Sequence, residues 1–200
     1  MLRVRRLLAL LAAVAVIGLA LLADRWTYAH IVSLDVYEHD WGRMLRTMGF
    51  LPFWLTAGCA LMLCDRPQPG WPRRGGLLMA AATLGGAAAE LLKLLVRRER
   101  PGAGGAEYVF RLWSDRPFST GGLGMPSSHA FVAFAAAAML ARLFPRARVV
   151  WYGLAAGCAL TRVLSHGHFL SDVVVAAIGG YLVVIAIRFG TPPSHPVGSA

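Results

Sequence analysis

The sequence predicts an all-α protein, an integral membrane bundle of six transmembrane helices. Three observations lead there. Hydrophobic residues fill 57% of the 200 positions and charged residues 15%, against roughly 25% charged in soluble domains. The apolar residues gather into six runs, most of them close to the ~20 residues that cross a hydrocarbon core. None of the runs alternates polar with apolar positions as a barrel strand does, and a helix is then the spanning structure that satisfies its own backbone. This composition excludes a water-soluble globule and a disordered chain. The net charge of +10 does not point to nucleic acid, because the basic residues sit between apolar runs and form no continuous patch.

The first run, residues 7–23, follows a basic segment. It is long for the apolar part of a signal peptide, and Leu21-Leu22-Ala23 is a poor small-residue cleavage site, so it reads as a retained span. Residues 24–46 carry Trp26, Tyr28, Tyr37 and Trp41 and read as an interfacial segment at headgroup depth. The second run is 47–64. A Pro/Gly turn over 67–72 leads to the third, 77–96, which contains Glu90 and Lys93. A longer loop, 97–126, is rich in Gly, Arg and Pro, and loops of that length are usually functional or disordered. The fourth, fifth and sixth runs are 127–144, 149–164 and 169–187, the last with Asp172 near its start. Pairs of small residues, Gly85-Gly86 and Gly179-Gly180, suit close helix packing. Cys59, Cys64 and Cys158 lie inside apolar runs and read as small packing residues, not a disulfide framework. Residues 1–200 read as a single membrane domain with its core at about 77–190 and a disordered tail at 191–200.

Lysine and arginine set orientation. Each face of the predicted bundle holds ten basic residues, one with a single acid (Asp65) and the other with nine. Location breaks the tie, because Lys93, Arg97, Arg98, Arg100 and Arg162 have a chemical reason to be where they are. Both termini are therefore expected in the cytoplasm.

Three polar clusters border the apolar runs on the opposite face, and an ionisable residue at such a place is a functional hypothesis by default. The first runs from Lys93 to Arg100-Pro101. Seven residues are almost two helical turns, which predicts Lys93 and Arg100 on one face about 10 Å apart, with the proline stopping the helix at or before Arg100. Two such cations suit a dianion; Arg97 and Arg98 read as lipid-headgroup anchors, and Lys93 also suits an ion pair with Glu90. The second cluster, Pro126-Ser127-Ser128-His129, is a turn running into an apolar helix. It suits either an anion site at a helix N-terminus or an ordinary serine cap with a bystander histidine. The third holds Arg162, His166, His168 and Asp172. The i, i+4 spacing of His168 and Asp172 predicts contact on one helical face. A carboxylate on one ring nitrogen would make the other a better nucleophile or base, although a purely structural His–Asp pair fits as well. A metal among these histidines would face the charges of Lys93, Arg100 and Arg162. The inventory suits phosphoryl transfer without metal.

In order and spacing the three clusters resemble the signature of the type 2 phosphatidic acid phosphatase superfamily, K-x6-R-P, P-S-G-H and S-R-x5-H-x3-D. Lys93 to Arg100-Pro101 matches the first. The second has Ser128 where the family often has Gly, and the third has Thr161 in place of Ser. The match runs over about 77–187. The resemblance implies His168 as nucleophile, forming a phosphohistidine, with Asp172 holding it. It implies His129 as general acid and then base, and Lys93, Arg100, Ser127, Ser128 and Arg162 as phosphate-binding residues, with no cofactor. It implies an enzyme of the inner (plasma) membrane whose partners are the bilayer and a phosphorylated lipid, phosphatidic acid, phosphatidylglycerol phosphate, undecaprenyl pyrophosphate or a lipid A type, with its site facing the periplasm. The alternatives are a lipid phosphotransferase using the same phosphohistidine, a vanadate haloperoxidase, which the composition disfavours, and a non-catalytic transporter or scaffold.

Overall fold

A computed structural model describes residues 2–65, 73–102 and 105–187. Among these residues the regular structure is helical: α1 (Leu2–His30), α2 (Asp40–Thr47), α3 (Leu51–Cys64), α4 (Arg73–Val96), α5 (Ser128–Leu143), α6 (Arg148–Leu164) and α7 (Leu170–Ala186), with a 3-10 turn at Pro145–Ala147. The all-α expectation holds, and each apolar run coincides with a helix. By length and apolar content Val4–His30 and Arg74–Val96 are candidate membrane spans, and α2 with α3 makes a third if that bent pair is one span. The helices α5 and α7 are apolar but shorter. The 67–72 turn and the 191–200 tail lie outside the described residues.

The centre of the bundle is α5, whose Ala130, Phe131, Val132, Ala133, Met139 and Leu140 are buried on every side, as befits a helix that is apolar all round. The helices α4, α6 and α7 surround it, and α1 lies against α7. Small residues let the backbones close in. A Cβ added at Gly85 would lie 2.8 Å from the Ala135 methyl, and one at Gly180 would lie 2.8 Å from the Ala135 nitrogen. These are the glycines whose pairing predicted close packing.

The second run begins later than expected. Thr47 ends α2, and the chain bends by 66° before α3 starts at Leu51. Gly49 makes the corner possible. A Cβ there would meet the His129 Cβ at 2.6 Å and its carbonyl oxygen at 2.7 Å, so the corner rests on the first turn of α5.

The third run ends earlier than Pro101 requires. Arg97 adopts a left-handed φ of 56°, and residues 98–100 leave the helix to pair with the returning loop, through Arg98 with Phe110 and Glu99 with Leu123. Lys93 and Arg100 therefore do not share a helical face. The headgroup-anchor reading of Arg97 and Arg98 also fails, because both are 2% exposed. Arg97 instead donates to the carbonyl oxygens of Arg111, Leu112, Asp115 and Pro117 at 2.7–3.1 Å and stacks over Trp113. Arg111 donates to Glu99 and to the carbonyls of Ser119 and Gly121. These two guanidinium groups supply the loop with the partners that a sheet would otherwise give. Cys59 and Cys64 are exposed, Cys158 is buried, and all three are free thiols.

Candidate active site

Three chain segments meet at one end of the bundle: residues 93–100, the start of α5, and the corner between α6 and α7. His168 lies in that corner, ahead of α7, so it does not share a helix with Asp172. The two still approach, with Nδ1 3.5 Å from Asp172 Oδ2. The closer partner of Nδ1 is the Gly124 carbonyl oxygen at 2.9 Å. A carbonyl only accepts, so Nδ1 carries the proton and Nε2 keeps its lone pair. Gly124 is where loop, His168 corner and carboxylate crowd together. A Cβ there would lie 3.0 Å from the Glu99 carbonyl oxygen and 3.2 Å from Asp172 Oδ2.

Asp172 anchors the corner. Its Oδ2 accepts the Phe169 N–H at 2.9 Å, and its backbone carbonyl accepts the Ser127 N–H at 3.2 Å. The carbonyl of Arg162 accepts the N–H groups of Gly167 and His168, each at 3.1 Å. Burial pushes the His168 imidazole down to about 4, assisted by Arg162 and Arg100 and opposed by Asp172. The free protein thus holds this ring neutral.

His129 occupies the first turn of α5. Arg162, Arg46, His168 and Arg100 all lie within its electrostatic reach, so both histidines share one mouth with Arg100 and Arg162. Lys93 is 4% exposed. It pairs with Glu90 at 2.9 Å, as its spacing allowed, and also donates to Ser128 Oγ, which in turn donates to Glu90 at 2.5 Å. Ser128 is therefore wired to the motif lysine. The serine-cap reading is not met, since Ser127 is the N-cap residue of α5 but its side chain makes no cap hydrogen bond. Its buried Oγ, like Arg162 Nε, has no hydrogen-bond partner among the described residues.

Sequence reasoning missed the supporting roles of Tyr37, Arg98, Asp24, Ser171 and Tyr108. Tyr37 accepts from Arg162 Nη1 at 2.8 Å and donates to the Thr161 carbonyl at 3.1 Å. Arg98 donates to Asp172 Oδ1 and to Ser171 Oγ, both at 2.6 Å. Asp24, at 0% exposure on α1, accepts from Ser171 and from Tyr108. The signal for Asp24 was present, a carboxylate at the end of an apolar run. His166 points away, stacked on Tyr28 at 4.1 Å between ring centroids.

The geometry thus joins all three motifs, and a family model described as the PAP2 superfamily matches residues 74–192. The chain belongs to the PAP2 superfamily. It is also 32% identical over 114 residues to a lipid A 1-phosphatase from Rhizobium etli, an alignment covering 56% of this chain and 48% of the relative. The chain thus aligns to about half the length of that curated relative. No solved structure matches the chain. The PAP2 region holds Lys93, Arg100, Ser127, Ser128, His129, Arg162, His168 and Asp172, whereas Asp24 and Tyr37 precede it.

Proposed function

We propose that this PAP2 protein is a metal-independent lipid phosphate phosphatase working through a phosphohistidine. The observation that carries the proposal is the His168 ring, with Nδ1 tied to the Gly124 carbonyl and Nε2 left for phosphorus within reach of Arg100 and Arg162. In the first step Nε2 attacks the phosphorus, the bond from phosphorus to the lipid oxygen breaks, and that oxygen takes a proton from His129. Asp172 offsets the positive charge left on the imidazole ring. In the second step His129 accepts a proton from water, the water oxygen attacks phosphorus, and the phosphorus–Nε2 bond breaks to release inorganic phosphate. Lys93, Arg100 and Arg162 neutralise the phosphate oxygens, aided by Ser127 and Ser128. These cations take the place of a metal, whose own charge they would oppose.

Two features support a lipid substrate. An apolar groove of about 520 Å³ between α3, α5 and α6 is lined by Met48, Trp54, Leu61, Leu140 and Trp151. Met48 in its lining is the chain neighbour of Gly49, the residue seated on His129, so an acyl chain lying there would bring its headgroup toward the site. The loop over the site exposes Leu112, Trp113 and Phe118, which suits contact with the bilayer. The reading includes all six runs as spans of one membrane domain in the inner membrane, with both termini cytoplasmic and the site facing the exterior. The Rhizobium relative's name puts a lipid A type phosphate first among substrates, ahead of phosphatidic acid, phosphatidylglycerol phosphate and undecaprenyl pyrophosphate.

The test is phosphate release from these four lipids in detergent micelles, with chelator and separately with vanadate. Release unaffected by chelator and blocked by vanadate is expected; abolition by chelator, or no release from any of the lipids, overturns the reading. Transfer of phosphate to a second lipid without free phosphate would establish a phosphotransferase instead.

The acid limb of kcat/KM reports the free protein's base. His168 must be neutral to attack, so activity is present above its pKa and lost as pH falls through it. Because burial depresses that pKa to about 4, the limb should lie well below the ordinary histidine value near 6.5. A limb at or above 6.5 in the pH–rate profile would contradict a buried, neutral nucleophile.

A further inference from the structure

The nucleophile corner rests on a charge network that begins in α1, outside the family-matched region. Arg98 Nη2 binds Asp172 Oδ1 and Ser171 Oγ, each at 2.6 Å. Asp24 Oδ1 accepts the Ser171 N–H at 2.8 Å, and Asp24 Oδ2 accepts the Ser171 hydroxyl at 2.5 Å and the Tyr108 hydroxyl at 2.8 Å. The same Asp24 Oδ2 lies 3.8 Å from Arg98 Nη1. Asp24 and Asp172 are 0% exposed and Arg98 is 2% exposed. Arg98 also stacks over the rings of Tyr108 and Phe169. Burial and the Asp24 carboxylate push the Tyr108 phenol up to about 12, so it remains a donor.

Buried ion pairs are held only where every charge is answered. Here one guanidinium stands between two carboxylates. Arg98 alone would cancel Asp172 and leave little negative charge for the imidazole to use. With Asp24 the trio carries −1, which becomes zero when His168 gains its positive charge on attacking phosphorus. We propose that Asp24 and Arg98 are positioning residues: Asp24 balances Arg98 so that Arg98 can hold the Asp172 carboxylate in place without neutralising its effect on His168. The inference rests on the phosphohistidine reading above and extends it to a helix outside the matched region.

The charged and titratable groups around His168 are Asp172 on α7, Asp24 on α1, Arg98, Arg100 and Tyr108 on the loop after α4, His129 on α5, Arg162 on α6 and His166 on the corner itself. Among these, Asp24 and Arg98 have opposite signs, so their removal predicts opposite shifts. Asp24→Asn should lower kcat on dioctanoyl phosphatidic acid roughly ten- to hundredfold, the range seen when the outer partner of a functional histidine is lost, with KM little changed. Its acid limb should move down by about one pH unit, since a negative neighbour has gone. Arg98→Gln should move the limb up, and Asp24→Glu should keep it near the wild-type position. Histidine side-chain NMR titration in micelles, assigned with His168→Ala, reads the same shifts without turnover.

Shifts of the same sign in the two variants, or an unmoved His168 titration in folded Asp24→Asn, overturns the inference. If Asp24→Asn does not fold, Arg98→Gln compared with Arg98→Lys carries the test: an upward shift for the first and none for the second supports it, and equal behaviour overturns it. If His168→Ala retains turnover, the underlying mechanism is wrong. If His168→Ala is inactive and the limbs do not move, only the role of Asp24 and Arg98 is wrong.

Discussion

Replacing His168 with alanine should abolish lipid phosphate turnover while leaving the helical bundle folded. The ring is buried, but the corner around it does not depend on it. Asp172 holds the Phe169 N–H, and the Gly167 and His168 N–H groups bind the Arg162 carbonyl oxygen through the backbone alone. Loss of an imidazole contact to Gly124 costs on the order of 1 kcal/mol for a neutral hydrogen bond, with a cavity term added. Loss of a nucleophile costs far more, a fall of about 10⁴-fold or greater in kcat when one member of a catalytic set is removed. Wild-type protein quenched during turnover should yield an acid-labile phosphohistidine that the variant lacks. Near-normal activity in a folded His168→Ala protein would remove the nucleophile from the mechanism.

Replacing His129 with alanine should give a loss that depends on the leaving group. A general acid contributes about 10²–10⁴-fold where the departing oxygen is a poor leaving group. An alkyl phosphate such as phosphatidic acid needs that proton, whereas an aryl phosphate departs as a stable phenolate and needs it little. The variant should therefore be slowed severely on the first and mildly on the second. On aryl substrates the phosphoenzyme should accumulate, since the base that activates water has also gone. Equal slowing on both substrates would assign His129 to binding. Arg46, Arg100, Arg162 and His168 lie within the field of His129.

The helices were legible because hydrocarbon permits so few alternatives. Every apolar run holds a helix, the second only from Leu51 onward, and the small-residue pairs at Gly85 and Gly180 mark real close contacts. The motif residues were legible by type and spacing, but the geometry joining them was not. Lys93 and Arg100 were expected on one helical face, yet Arg97 turns left-handed and Arg100 reaches the site from an irregular strand. His168 and Asp172 were expected on one helix, yet a helix needs a residue to begin on, and α7 begins only at Leu170. Arg98 looked like a surface anchor because its partners, Asp24 and Asp172, each lie 74 residues from it, one on either side. No local pattern reports a contact of that range. The hydrogen bond that fixes the His168 tautomer goes to a backbone oxygen, which the side-chain sequence does not encode.

The grip of Arg97 has a consequence for how this scaffold diversifies. It clasps main-chain oxygens at Arg111, Leu112, Asp115 and Pro117, so the outline of the canopy over the reaction centre is specified without regard to most of the side chains it displays. Leu112 and Phe118 point outward and are released from any duty of shape, whereas Trp113 stays as the ring beneath Arg97. Chimaeras that keep the two clasping arginines and exchange the displayed side chains would retain the canopy's contour while giving it a new chemical face, a route by which one reaction centre can be re-addressed from one membrane component to another.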